Sequence, residues 1–251
     1  MTESGVLILG GTGEARALAA ALGDAGLPFI SSLAGRVQHP RLPVGEVRIG
    51  GFGGVEGLRD WVIEHHVCAI VDATHPFAAT ITDNAARAAE SAGTPLLRLA
   101  RPPWTPGPGD RWTMVPDIAA AADRVAERGR RVFLTTGRQD VGAFAGIGDA
   151  WFLIRVVDAP TMTLPAHHHV LRSRGPYDLD TERNILRDNQ IDLLVTKNSG
   201  GELTRAKLVA ARELDIDVVM VQRPPEPAVG ERVTTVANAV DWVQSVCRRG
   251  V

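Results

Sequence analysis

Along this chain, apolar runs of four to six residues alternate with amphipathic stretches of ten to fifteen, the pattern of βα units that build a parallel sheet. The first half predicts strands at Val6 to Leu9, Phe29 to Leu33, Val47 to Ile49, Ala69 to Asp72 and Leu96 to Leu99. Helical spacing of the apolar positions predicts helices at Glu14 to Ala25, Val55 to His66 and Phe77 to Ala92. The stretch from Arg101 to Gly109 then packs four prolines and two glycines into nine residues, which can continue neither a helix nor a central strand. Beyond it the alternation resumes. Strands are expected at Val132 to Thr135, Phe152 to Val156, Leu193 to Thr196 and Val218 to Val221, and helices at Asp117 to Arg128, Leu179 to Asn189, Leu203 to Glu213 and Ala237 to Arg248. The segment from Asp158 to Pro176, with its prolines, threonines and a run of histidines, is expected to be an irregular loop. The expectation is therefore an α/β protein of two domains, residues 1–105 and 106–251, each a mainly parallel sheet flanked by helices.

At 251 residues, 45% hydrophobic and 22% charged, the chain can close a sizeable core, and two modest domains suit the length. A net charge of −2 gives no global field to gather nucleic acid or anionic lipid, so an anionic ligand must be small. The run Val6 to Leu9 is too short for a signal peptide or a membrane span. The only cysteines, Cys68 and Cys247, make neither a disulfide framework nor a CxxC pair, and Cys68 is expected to be a small buried hydrophobe; a cytoplasmic protein is expected.

Val6-Leu7-Ile8-Leu9-Gly10-Gly11-Thr12-Gly13-Glu14-Ala15 is a buried strand, a glycine turn and the first turn of a helix. Glycine has no Cβ to block an approach, so backbone N–H groups and the helix N-terminus can face a pyrophosphate. The spacing is not a strict GxGxxG, and a mere tight turn is the alternative. At the end of the second strand Ser31, Ser32 and Arg36 stand where an acidic residue would mark NAD, which favours NADPH. Gly51, in a further glycine-rich strand end, is a secondary contact.

Ligands of open α/β sheets gather outside the carboxyl ends of strands. Asp72-Ala73-Thr74-His75-Pro76 is one such end; Pro76 fits the first position of a helix, and Thr74 and His75 are either helix-start residues or face a ligand. Thr136-Gly137-Arg138 is a second, suited to an anion. The third is Thr196-Lys197-Asn198-Ser199-Gly200-Gly201, ahead of a helix carrying Lys207. Of 27 strong cations only Lys197 and Lys207 are lysines, which suggests that a compact charge is needed there. His167, His168 and His169 alternate across an extended backbone and are not expected to converge on a metal. His39, His65 and His66 are expected at the surface.

These motifs, with Arg174-Gly175-Pro176 and Arg223-Pro224, occur in the order found in precorrin-6A reductases of cobalamin (vitamin B12) synthesis, a family the chain resembles over nearly its whole length. The resemblance implies NADPH-dependent reduction of one double bond of the precorrin-6A macrocycle to precorrin-6B. It also implies two Rossmann-like domains with the active site in the cleft between them, and contact with other enzymes of the pathway. A precorrin bears many carboxylate arms, and Arg138, Arg174, Lys197, Asn198, Ser199, Gly200 and Arg223 are its expected contacts; Lys197, His75 and Thr74 are the expected catalytic residues. Other readings exist. A short-chain dehydrogenase or epimerase needs Tyr and Lys four apart, but the only tyrosine is Tyr177 and position 181 is Thr181. In a non-catalytic NADP-binding sensor the glycine loop would work but the second half would serve a partner protein, and a tetrapyrrole methyltransferase would share the substrate.

Overall fold

A computed structural model of the chain describes residues 5–35, 40–128, 130–228 and 230–247. The chain divides into two compact units: Met1–Arg101 together with Pro225–Val251, and Pro102–Pro224 between them. The turn to the second unit comes at the start of the proline-rich stretch, after Arg101 rather than after residue 105. The sequence boundary, however, assigned all of 106–251 to one domain, whereas the last segment returns to the first unit.

The first unit contains β1 (Val6–Leu9), α1 (Gly13–Asp24), β2 (Phe29–Leu33), β3 (Glu46–Ile49), α2 (Val55–Glu64), β4 (Ala69–Asp72), α3 (Ala79–Ala92) and β5 (Leu96–Leu99). The second contains β6 (Trp112–Val115), α4 (Ile118–Arg128), β7 (Arg131–Leu134), β8 (Trp151–Val156), β9 (His167–Arg172), α5 (Leu179–Asp188), β10 (Leu193–Lys197), α6 (Ala206–Glu213) and β11 (Asp217–Val221). The returning segment adds β12 (Glu231–Val233) and α7 (Val236–Cys247) to the first. The sheet orders are β12-β5-β4-β1-β2-β3 and β6-β11-β10-β7-β8-β9, six strands each. Every strand pair is parallel. Both orders are doubly wound, reversing direction between β1 and β4 and between β7 and β10. The outermost strand beside β5 arrives from the end of the chain, and the one beside β11 arrives from before β7.

β1, β4 and β5 are buried throughout, as strands covered on both faces must be. One face packs Ile8, Val71 and Leu97 against Leu18 and Leu22 of α1 and Ala239, Trp242 and Val243 of α7. The other packs Leu7, Leu9 and Ile70 against Leu58 and Val62 of α2 and the alanines of α3. In the second unit Phe133, Leu153, Leu194, Val218 and Met220 close a core with Leu186 and Leu208.

Four expectations are corrected. The loop from Asp158 to Pro176 contains strand β9, formed by the histidine run itself, at the sheet edge. Pro76 lies in a turn, and α3 begins only at Ala79. Helix α6 starts at Ala206 rather than Leu203, so its N-terminus is not immediately behind Gly201. Cys68 and Cys247 form a disulfide, Cα–Cα 5.6 Å, across 179 positions of sequence. The returning α7 is what brings them together, which spacing alone could not show.

Candidate functional site

In the first unit the sheet reverses between β1 and β4, and the glycine loop and the Thr74-His75 turn sit at the ends of these two strands. Gly11 has φ +107°, and a Cβ there would meet nothing within 4 Å. Thr12 caps α1: its hydroxyl accepts from the Ala15 N–H at 3.1 Å and donates to the Ala73 carbonyl at 2.7 Å, stitching the loop to the end of β4. That hydroxyl is committed, so what the loop offers a ligand is backbone. Among the described residues no acceptor takes the N–H groups of Gly11, Thr12, Gly13 or Glu14, the donors a helix start leaves over. Gly10 is packed: its N–H donates to Ser32 O at 2.9 Å, and a Cβ would press on Ala15 and Leu33. Glu14 holds Arg101 in an ion pair of 2.7 Å.

Asp72 is 1% exposed and fully engaged. One carboxylate oxygen accepts from the Thr74 N–H at 3.0 Å, the Thr74 hydroxyl at 2.6 Å and Arg98 Nη1 at 3.0 Å; the other accepts from the Thr82 hydroxyl at 2.7 Å. Asp72 therefore shapes the strand end and offers no oxygen to a ligand, and Thr74 is oriented by it. Arg98 also reaches the carbonyls of Asp72 and Thr74, and Glu226 of the returning segment. His75 Nδ1 accepts from the Phe77 N–H at 3.2 Å, which places the proton of a neutral imidazole on Nε2.

At the ends of β2 and β3, Ser31 and Ser32 are both buried but lie on opposite faces of the sheet, because successive side chains of a strand alternate. Arg36 and His39 fall outside the described residues. Arg48, paired in register with Ser32, donates from Nη1 to Ser32 Oγ at 3.1 Å and Gly50 O at 2.9 Å, and from Nη2 to Gly51 O at 3.0 Å. Its guanidinium lies 3.7 Å from the Phe52 ring centre. Burial pushes its pKa below the usual value.

In the second unit the reversal between β7 and β10 brings together the Thr136-Gly137-Arg138 turn and Lys197. Gly137 has φ +90° with nothing within 4 Å of a Cβ, and Lys197 Nζ pairs with Asp140 at 2.5 Å, both side chains about one-fifth exposed. The rest of that motif knits the unit together. Asn198 clamps the backbone of Trp104, accepting its N–H at 2.7 Å and donating to its carbonyl at 2.9 Å. Gly200 lies so close to the backbone at Pro102 that a Cβ would be 2.1 Å from its carbonyl oxygen. Arg223 Nε donates to Asn198 O at 2.9 Å and Nη2 to Ser199 O at 3.1 Å, while the Trp104 indole donates to Gly201 O at 2.9 Å. These contacts hold the entering and leaving strands of the unit at one point. Lys207 is buried, 5.1 Å from the Trp104 ring centre, and donates to the Thr204 carbonyl at 3.1 Å. Arg174 is exposed on the loop after β9.

Sequence reasoning missed Arg48, Arg98, Asp140 and the buried pair of Arg155 with Glu182, 2.5 Å apart. Two of them had a signal: an arginine inside an otherwise apolar strand, as in LLRL and WFLIRV, is costly unless something meets it. His167, His168 and the neighbouring strand form no metal cluster among the described residues.

The match to known proteins is extensive. The family described as Precorrin-6x reductase CbiJ/CobK matches residues 5–244. A Rhodococcus erythropolis protein named precorrin-6A reductase is 56% identical over 245 residues, 97% of this chain and 99% of that one. A solved structure titled CobK precorrin-6A reductase superposes with a TM-score of 0.91 at 40% identity, covering 96% of both chains. A Priestia megaterium protein named cobalt-precorrin-6A reductase is 30% identical, over 87% of this chain and 90% of that one. Matched from its first strand to its last helix, with its glycine loop and all three strand-end motifs inside the match, the chain belongs to the precorrin-6x reductase family.

Proposed function

We propose that the chain reduces one double bond of the precorrin-6A macrocycle with hydride from NADPH, giving precorrin-6B. Family membership supports a nicotinamide-dependent reduction, and one observation carries the assignment of sites. At the reversal of each sheet an open glycine turn lies at a polar strand end, with Gly11 and His75 in the first unit and with Arg138 and the Lys197–Asp140 pair in the second. The first suits a pyrophosphate: Gly11 leaves room, and the N–H groups of Gly11 to Glu14 at the start of α1 are not taken by an acceptor among the described residues. The second suits carboxylate arms, which Lys197 and Arg138 meet as a compact charge and a fork; Arg174 is a further contact.

When bound, NADPH supplies the hydride; the protein supplies placement. Asp140 holds Lys197 at the end of β10, so its ammonium is aimed before the substrate arrives. His75 presents an imidazole at the end of β4, and Thr74, tied to Asp72, keeps that turn in shape. Asn198, Ser199, Gly200 and Arg223 act through the backbone they fix. Higher identity to relatives named for precorrin-6A than to one named for its cobalt complex supports a metal-free substrate.

The test is a spectroscopic assay of NADPH oxidation with precorrin-6A and with its cobalt complex. Turnover of the metal-free substrate is expected. Binding of NADPH without oxidation by either substrate would point to a sensor instead.

A further inference from the structure

We propose that Arg48 is the residue that recognises the 2′-phosphate of the cofactor, with Ser32 and the Gly50-Gly51 turn as its frame. This rests on the NADPH reading above and names the residue behind its specificity.

Three observations converge on Arg48. The first is position. β2 and β3 lie beside β1, and Ser32 and Arg48 form the rung next to the last before both strands end. In an open dinucleotide-binding sheet the adenosine ribose is read at the end of the second strand, so this rung borders the 2′ position. The second is charge. Arg98, Arg101, Arg155 and Lys197 each meet a carboxylate. The nitrogens of Arg48 meet Ser32 Oγ, Gly50 O and Gly51 O, all neutral, and among the described residues no carboxylate lies within 4 Å of them. A cation partly withdrawn from water loses hydration that neutral acceptors restore only in part; an anion restores the rest. Three of its five donors are used in these bonds, which leaves two for a phosphate. The third is shape. Phe52 backs the guanidinium plane, fixing its direction, and a Cβ on Gly50 or Gly51 would meet nothing within 4 Å, so the turn over the strand end is open. Ser31 takes no part: it faces the other side of the sheet, on the rung of Ile8, toward α1.

The experiment is titration calorimetry of NADPH and NADH with the full chain and with Arg48→Met, Arg48→Lys and Arg36→Ala, each checked by melting temperature. The full chain is expected to bind NADPH at least tenfold more tightly than NADH. In Arg48→Met the NADPH affinity is expected to fall tenfold or more with NADH affinity within twofold, and Arg48→Lys to fall between. If Arg48→Met weakens both cofactors equally, Arg48 only braces the turn and the proposal fails. It fails too if the ratio survives in Arg48→Met but collapses in Arg36→Ala. A full chain without preference between the cofactors removes the NADPH reading itself, a different result from either. Should Arg48→Met not fold, the wild-type chain still decides: adenosine 2′,5′-bisphosphate should shift the Arg48 Nε–H resonance and adenosine 5′-monophosphate should not; equal shifts, or none, overturn the assignment.

Discussion

Gly11 is the position where a single added side chain tests the proposed cofactor loop. Its φ of +107° strains any other residue, and a Cβ would enter empty space that the proposed pyrophosphate needs. Gly11→Val should abolish cofactor binding in calorimetry while far-UV dichroism stays native; retained affinity in a folded variant would move the cofactor off this loop. Lys197 is tested through a rate. Lys197→Ala should lower turnover by about tenfold or more, equivalent to at least about 1.4 kcal/mol of transition-state stabilisation. Its partner Asp140 is partly exposed, so the lost ion pair should cost only ~0–1 kcal/mol of stability and the melting temperature should move little. Early unfolding with normal turnover of the folded fraction would make Lys197 structural. At this scale the sequence marked polar strand ends but not which of their atoms the protein itself uses. Thr12, Asp72 and Asn198 have the composition of binding residues, yet their side-chain oxygens are taken by the protein itself.

Among the elements, central strands were legible to within a residue or two, since a strand buried on both faces is a continuous apolar run. The strands that escaped, β6, β9 and β12, are all sheet edges. Paired on one side only and partly open to water, they carry polar residues such as Glu231 and His167 that look like loop. The buried charge pair escaped for a related reason. Glu182 sits at an inward position of α5, between Leu179 and Leu186, where the helical pattern calls for an apolar residue. It is 0% exposed and neutralises Arg155, whose guanidinium is covered by Tyr177 at 3.8 Å. Glu182→Ala should therefore lose about 3–5 kcal/mol of stability by denaturant melting, because Arg155 is left buried and unpaired. The double change Glu182→Leu with Arg155→Met should recover much of it. A single variant within ~1 kcal/mol of wild type would show that water reaches Arg155 there.

For the whole molecule, the domain boundary was half legible. The prolines after Arg101 announce the departure from the first unit, but the return at Pro225 has no stronger punctuation than Pro224-Pro225 and Pro227. The returning segment is not an appendage. Trp242, Val243 and Ala239 lie in the core beside Ile8 and Val71, and β12 completes the edge beyond β5. Burying each large side chain is worth on the order of 1.5–3 kcal/mol, against a typical total margin of about 5–15 kcal/mol. A chain ended at Pro224 should thus lose the cooperative melting of its first unit and its cofactor binding, while the 102–224 fragment still melts cooperatively. Cofactor binding by the shortened chain would show that the first unit stands without its last helix. The same topology sets an order of completion on the ribosome. The second unit has all its strands once Val221 has emerged, whereas β5, already paired with β4, waits for its outer neighbour until Val233 is made. The segment translated first is the last to close its sheet.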